Sequence, residues 1–376
     1  MYTLGGCDAA GRPCGALELY SPEGDKWMSL PQMPTPRAGA AVAVMGKQIL
    51  VVGGVGEDQS PMKVVEMYHT DEGRWRKRSA LREPLMGLSI SVKENRALAV
   101  GGMGADLLPR SILQQYDLRK DVWALLPPMP TPRYDANTNL LGNKLYVAGG
   151  RQCKRPVKTL EVYDTESRSW STLPPQPCKR SYAGSSKFTK NVNIFDTSQG
   201  VWLKSEETVA MKTKRADFVA AYLRGRMIVA GGLGHEPSAL DTVEAYHPEK
   251  KKWERLANMT FPRCSASSIV IKDRLLVVGG VNQVPSAAHE ILFVKEEENM
   301  LISANAKFEN SDSLSEAGLL HTVPTCPTTC PWTCPRPDPG PVPGPVPGPV
   351  PRPDPGPVPG PVPRPDPDLS QDLSHD

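Results

Sequence analysis

The chain has 376 residues, 40 of them proline and 32 glycine, with a net charge of +3. Its acidic and basic residues are mixed, which gives no basis for a nucleic-acid partner or an anionic membrane surface. No apolar run approaches the roughly 18 residues of a membrane span. The opening MYTLGGCDAAGRP has no basic region followed by an apolar one, so no secretory signal is read there. The expectation is a cytoplasmic protein with reduced thiols.

Read in chain order, one unit recurs. A Gly-Gly pair begins at Gly5, and others follow at Gly53-Gly54, Gly101-Gly102 and Gly149-Gly150, each 48 residues on. Two more stand at Gly231-Gly232 and Gly279-Gly280. A second marker runs beside the first, an aromatic followed seven residues later by tryptophan. Its members are Tyr20/Trp27, Tyr68/Trp75, Tyr116/Trp123, Tyr163/Trp170, Phe195/Trp202 and Tyr246/Trp253. Two markers at one period define a repeat.

Residues 38–78 show what a unit contains. AGAAVAVM is small and apolar, as a crowded inner strand requires. KQILVV ends at Gly53-Gly54. VVEMY is a third strand, the turn HTDEG follows, and a fourth strand opens at Trp75. Short runs of β-formers at about ten-residue spacing predict an all-β fold. Gly-Gly permits positive φ and close approach of neighbouring backbone. Tyr and Trp bury flat surfaces where one sheet packs on the next. Arg37, Arg133, Arg180 and Arg263 each stand ten residues after a Trp, at the entrance to the next inner strand. Leu85 takes that place in one copy, and Arg215 follows Trp202 after thirteen residues. His69 and His247 follow the repeat Tyr and are read as turn residues.

Two copies depart from the rule. The first begins in its second strand, so no inner strand precedes MYTLGG. The fifth, SYAGSSKFTKNVNIFDTSQGVW, has no Gly-Gly strand, and Trp170 to Trp202 spans only 32 residues. About four buried apolar residues are lost with that strand, roughly 6–12 kcal/mol of burial.

Four strands per unit of about 48 residues is the propeller signature. On its Gly-Gly, Tyr-x6-Trp and Pro-Arg spacing, the chain resembles the kelch-repeat β-propellers over roughly residues 1–295. VVEMYHTDEGRW, GGMGADLLP, MPTPRY, KRADFVA and LLVVGGVNQ look like the small kelch domain-containing protein 8 group. That resemblance implies seven repeats with no BTB domain attached. The expected architecture is an all-β, seven-blade-derived propeller with about six intact four-stranded antiparallel blades and one degenerate blade. Repeats are placed near 1–30, 31–79, 80–127, 128–174, 175–206, 207–257 and 258–297. Residues 298–323 are a linker or a substitute closing strand, with NMLISANAKFE as the candidate outer strand. Residues 324–376 are a disordered tail rich in Pro and Gly.

The tail's Pro-Gly-Pro-Val repeats cannot build helix or sheet. They are expected to sample polyproline II, a spacer or a ligand for SH3-like or WW-like domains. His321, Cys326, Cys330 and Cys334 are spaced with intervening prolines and lack zinc-knuckle spacing. No metal and no cofactor are expected. No nucleophile with a base and an orienting partner is marked, so no catalytic residues are assigned. Propellers do host oxidases and epimerases, and that class is the rival, as is a non-functional truncated isoform.

Binding of a protein partner by the loops after Gly-Gly is the favoured reading. Its candidate residues are Glu57, Asp58, Arg110, Arg151, Gln152, Lys154, Arg155, His235, Glu236, Asn282 and Gln283. The most charged of these loops is Arg151, Gln152, Lys154 and Arg155.

Overall fold

A computed structural model describes residues 1–8, 10–153, 155–177, 190–203, 210–235 and 238–294, and the backbone of 301–304. The chain divides into Met1–Pro335 and Arg336–Asp376, and the second unit lies wholly outside the described residues. So do Arg180, the fifth repeat's residues 181–189 and the Pro-rich tail.

Every described element is a strand. The first sheet holds β1 (Tyr2–Leu4), β2 (Leu17–Ser21) and β3 (Lys26–Leu30). The second holds β4 (Ala41–Met45), β5 (Gln48–Val52), β6 (Val65–His69) and β7 (Arg74–Arg78). The third holds β8 (Ser89–Lys93), β9 (Arg96–Val100), β10 (Leu113–Asp117) and β11 (Val122–Leu126). In the fourth, β12 (Asn137–Leu141) and β13 (Lys144–Ala148) lead into a small hairpin, β14 (Arg151–Gln152) and β15 (Arg155–Pro156). The sheet then resumes with β16 (Leu160–Asp164) and β17 (Ser169–Leu173).

The fifth sheet has two described strands, β18 (Phe195–Asp196) and β19 (Val201–Trp202). The sixth has β20 (Val219–Leu223), β21 (Arg226–Ala230), β22 (Val243–His247) and β23 (Lys252–Arg255). In the seventh, β24 (Ser267–Ile271) and β25 (Arg274–Val278) precede a hairpin of β26 (Val281–Asn282) and β27 (Val284–Pro285). Then come β28 (His289–Val294) and β29 (Leu301–Ala304). All pairings are antiparallel. The described residues thus form six propeller blades, the first of three strands and five of four, together with the remnant of another. The two histidines read as turn residues instead end third strands. His69 is 8% exposed and its ring lies 3.3 Å from the Arg78 guanidinium.

Blades pack face to face. Ile49 and Val51 of the second blade meet Leu17 and Met33 from the first. Leu50, Val52 and Met67, on the opposite face, meet Leu85, Leu88 and Ala99 of the third. This explains why β5 is apolar from Ile49 to Val52 rather than alternating: both its faces are covered. Each such side chain contributes about 1.5–3 kcal/mol. The ring is joined between the seventh and first blades by Met1 and Tyr20 against Ile269, Leu276 and Ile291.

A recurrent ion pair fixes one corner of a blade. Arg37 is 1% exposed and donates to the carbonyls of Thr35, Gly53 and Val64 and to the Glu66 carboxylate. Arg133 does the same with Thr131, Gly149, Thr159 and Glu161. Arg215 reaches Glu244 at 2.7 Å, and Arg263 reaches Glu290 at 2.7 Å. The longer connection before Arg215 leaves its bonds to Gly231 and Thr242 intact. The arginine fork thereby ties the entrance of the inner strand to the ends of the second and third strands. Burial pushes the Glu244 carboxyl up, but bonds from Thr213, Arg215 and the Lys212 amide outweigh it and hold it below its ordinary value.

The third blade solves the same corner without charge. Leu85 replaces the arginine, and Gln114 stands where the others carry glutamate. Both members change together, so no buried charge is left unpaired.

The outer wall is joined by tryptophan. Trp75 Nε1 donates to the Pro31 carbonyl at 2.7 Å, Trp123 to Ser79 at 2.8 Å and Trp170 to Pro127 at 2.7 Å. Each acceptor lies four residues after the tryptophan of the preceding blade. Trp202 keeps this bond to Pro174 at 2.8 Å despite the shortened repeat. Trp27 instead meets His289 Nδ1 at 3.4 Å, where the seventh blade adjoins the first.

Two corrections concern these tryptophans. The outer strand opens one residue before each of them, at Arg74 for Trp75 and at Lys252 for Trp253, rather than at the tryptophan itself. Nor are they equivalent markers of one wall. Trp27, Trp75, Trp170 and Trp202 are half-buried, whereas Trp123 and Trp253 are buried. Trp253 is 4% exposed and belongs to a core cluster with Met211 and Val229, flanked by Val192 of the fifth repeat and Phe218. Its ring lies 5.5 Å from that of Tyr246, its cross-strand partner. Apolar side chains of the sixth repeat, with Val192 of the fifth, thus enclose Trp253 as a core residue.

Glu161→Gln is expected to cost about 3–5 kcal/mol in urea unfolding, because it strands the buried Arg133. Adding Arg133→Leu copies the third blade's corner and is expected to bring stability back to within about 2 kcal/mol of the parent.

Candidate functional site

In each four-stranded blade the second strand ends, and the inner and third strands begin, at the same end of the sheet. The loops after Gly-Gly therefore share one rim. Each is a miniature hairpin closed by a bridge that starts just after Gly-Gly. The bridges are Cys7 with Pro13, Val55 with Pro61, Met103 with Pro109, and Leu233 with Ala239. The β14–β15 and β26–β27 hairpins are the same device in the fourth and seventh blades. Side-chain caps stiffen the tips. Asp58 Oδ1 accepts from the Ser60 amide, and Asp106 Oδ1 from the Leu108 amide, each at 3.0 Å. Asp8 accepts from the Ala10 and Arg12 amides.

The predicted rim residues divide by exposure. Glu57 and Asp58 are exposed on the second blade, Arg155 on the fourth, His235 on the sixth, and Asn282 and Gln283 on the seventh. Gln152 is half-buried. Lys154 and Glu236 lie outside the described residues. Arg110 is half-buried and held between Glu83 at 2.8 Å and Asp106 at 3.0 Å, so its charge is already met within the third blade.

Arg151 is not a free rim cation. It is 7% exposed, and its backbone pairs with Tyr134 in both directions. The residue after Gly-Gly faces inward, as Val55, Met103, Leu233 and Val281 do at the same place.

Beside Arg151 stands Asp135, which the sequence reading passed over. It has φ of 52°, the left-handed position that Gly39 and Gly87 fill in the second and third blades. Its amide bonds the Gly87 carbonyl at 2.9 Å. Burial pushes its carboxyl up to about 6, against a smaller opposing pull from Arg151. In the sixth blade Asp217 occupies the same position, and burial raises its carboxyl too, although Ser265 donates to it.

Two exposed leucines also escaped notice. Leu107 is 43% and Leu108 54% exposed at the tip of the third blade's hairpin, and Leu107 has φ of 61°. A left-handed leucine costs roughly 1 kcal/mol or more. Neither belongs to a core cluster. The signal was present, since ADLL is the one post-Gly-Gly loop with adjacent leucines. Among the described residues, no group of three or more His, Cys, Asp or Glu is placed to hold a metal. Cys7, Cys14, Cys153 and Cys264 are thiols rather than disulfides.

The Kelch motif family matches residues 1–34, 36–82, 132–177 and 214–260. Four repeats of this propeller are thus kelch motifs. The third repeat, outside those matches, is the one carrying Leu85 and Gln114. Human kelch domain-containing protein 8B is 41% identical over 109 residues, 29% of this chain and 31% of that protein. The orangutan protein of the same name matches equally. The kelch chain thus spans about a third of the length of these curated relatives in the aligned region. The human influenza virus NS1A-binding protein is 39% identical over 72 residues, 19% of this chain and 11% of that one. The solved structure of YjhT shares the fold at 15% identity, with a TM-score of 0.53 over 80% of this chain and 96% of YjhT.

The raised Asp135 carboxyl has a signed consequence. Its folded-state value lies above that of an unfolded aspartate, so the folded state holds the proton more tightly, and its contribution falls as pH rises from about 4 to about 6. Asp135→Asn is expected to remove a slope of roughly 1.4 kcal/mol per pH unit over that window, read from denaturation midpoints across pH.

Proposed function

We propose that this kelch propeller is a non-enzymatic protein-interaction scaffold that docks partners on the rim of post-Gly-Gly hairpins. The observation that carries the proposal is the Leu107–Leu108 tip. Two apolar side chains are held out in solvent, at a backbone cost, on a hairpin braced by Asp106 and Arg110. Folding gains nothing from that exposure, whereas a binding surface gains a rigid apolar anchor. Arg155, on the next blade's hairpin, is an exposed cation on the same rim. The arrangement suits a partner segment presenting an apolar side chain followed by an acidic one. Kelch propellers commonly serve as protein-interaction domains, and one relative is named for binding a viral protein.

The test is cross-linking and mass spectrometry of partners recovered with the full chain. Leu107→Asp with Leu108→Asp is expected to lower recovery of rim-linked partners at least tenfold, and Arg155→Glu to lower it several-fold, with melting temperatures unchanged. Equal recovery by folded variants would exclude this rim as the docking face.

A further inference from the structure

One buried cation of the fourth blade has no anion of its own. Arg151 is 7% exposed, and its Nε is enclosed with no acceptor. Among the described residues its guanidinium donates no hydrogen bond and enters no ion pair. Arg37, Arg133, Arg215 and Arg263 are buried more deeply still, and each reaches a glutamate. Arg78 and Arg226 also have an enclosed Nε without an acceptor, but another nitrogen meets His69 in the first case and Glu254 in the second.

The backbone holds Arg151 where it is. Its amide and carbonyl both bond Tyr134, and it faces Pro156 across the hairpin. In four other blades the same place belongs to Val55, Met103, Leu233 and Val281. The fold therefore dictates burial at this position, and the charge is peculiar to the fourth blade. A buried charge left unpaired is destabilising, so folding alone gives no reason to keep it.

Asp135 stands beside it. Its carboxyl fills the space that a side chain on Gly87 would need, since a Cβ there would lie 2.6 Å from Oδ1. Arg151 acts on this carboxyl electrostatically, yet the two form no ion pair. No other charge among the described residues acts on Asp135. Arg133, two residues back, donates to Glu161, and Met86, Gly87 and Leu88 on the third-blade side are uncharged. The third blade has Met103 with Gly87, and the sixth has Leu233 with Asp217, to which Ser265 donates. Only the fourth joins an arginine to an aspartate at these two places among the described blades.

We propose that Arg151 and Asp135 form a binding site for one oxyanion, a carboxylate or an inorganic ion of the sulfate or phosphate type. The guanidinium offers a planar fork of donors that suits such a group. A cation would face Arg151, and an uncharged group would leave its charge unmet. Asp135 sets the pH dependence. Burial holds its carboxyl up to about 6, so in more acid solution it is protonated and donates to the anion alongside Arg151. In more alkaline solution the carboxylate repels the anion. Binding therefore takes up a proton and weakens as pH rises through about 6. The site does not depend on the Leu107–Leu108 tip, and the leucine variants of that hairpin leave it intact.

Sulfate titration of the full chain at constant ionic strength tests the site, followed by the backbone amide shifts of Tyr134, Asp135 and Arg151. Sulfate keeps its charge near neutrality, so any pH dependence belongs to the protein. Binding is expected to be at least tenfold tighter at about pH 5.5 than at about pH 7.5. Asp135→Asn keeps a donor and tolerates the left-handed φ, and is expected to bind equally at both. Arg151→Leu copies the sixth blade, so it is expected to fold, to melt no lower than the parent, and to lose at least tenfold in sulfate affinity. Equal sulfate affinity in Arg151→Leu, or no saturable binding by the parent, would overturn the proposal, as would a pH dependence that survives Asp135→Asn. A blocked Gly-Glu-Gly peptide, with Gly-Gln-Gly as control, separates the two sources of the anion. Tighter binding of the glutamate peptide than of sulfate assigns the site to an acidic side chain of a docked segment, and the reverse order assigns it to a free ion.

Discussion

A buried guanidinium has five donors to satisfy and a charge to neutralise, and the propeller meets both demands at one corner of a blade. The carbonyl before the inner strand, the first glycine's carbonyl and the carbonyl before the third strand take the donors, and a glutamate takes the charge. Three chain segments distant in sequence are thereby fixed in one place. Gly-Gly follows from this, because the carbonyl of the arginine position presses on the glycine of the preceding blade and leaves no room for a side chain. The hairpin that projects from Gly-Gly inherits its aim from the same corner. A buried salt bridge therefore stands at the base of the rim hairpin in the second, fourth, sixth and seventh blades, and the uncharged Leu85 and Gln114 take that place in the third.

Much of this was legible before the structure. Gly-Gly and Tyr-x6-Trp gave the blades, since both mark backbone approach and face packing that recur at a fixed period. The depth of each tryptophan was not legible, because Trp253 owes its burial to Met211, Val229 and Phe218 of its own repeat and to Val192 of the fifth, which its seven-residue spacing from Tyr246 does not place. The glutamate was harder. It lies two residues before the aromatic in VEMY, EVYD and VEAY, but a glutamate in a strand reads as solvent-facing until its arginine is known to be buried. Gln114 in the blade of Leu85 was the visible clue, an exchange of both partners at once. Arg151 misled for the opposite reason. Its charge suggested solvent, whereas its place after Gly-Gly, apolar in four other blades, indicated the inward face. Leu107 and Leu108 were readable as residues but not as exposed ones, because exposure depends on the hairpin that lifts them.

The Asp135 position shows how one backbone requirement admits different chemistry. Gly39 and Gly87 satisfy the left-handed geometry without a side chain, while Asp135 and Asp217 satisfy it with carboxyls that burial makes reluctant to ionise. The fold dictates φ at this ring of sites and leaves their charge open. Two propellers with one backbone would then differ in how their stability responds to acid.

The tryptophan bonds form a hoop at a larger radius than the arginine corners. Trp202 keeps its place in that hoop although the fifth repeat has been shortened by about one strand and its loop. The outer strands of a shortened repeat can thus still brace their neighbour. Loss of sequence in such a repeat therefore leaves the brace to the preceding blade in place, since Trp202 still reaches the Pro174 carbonyl.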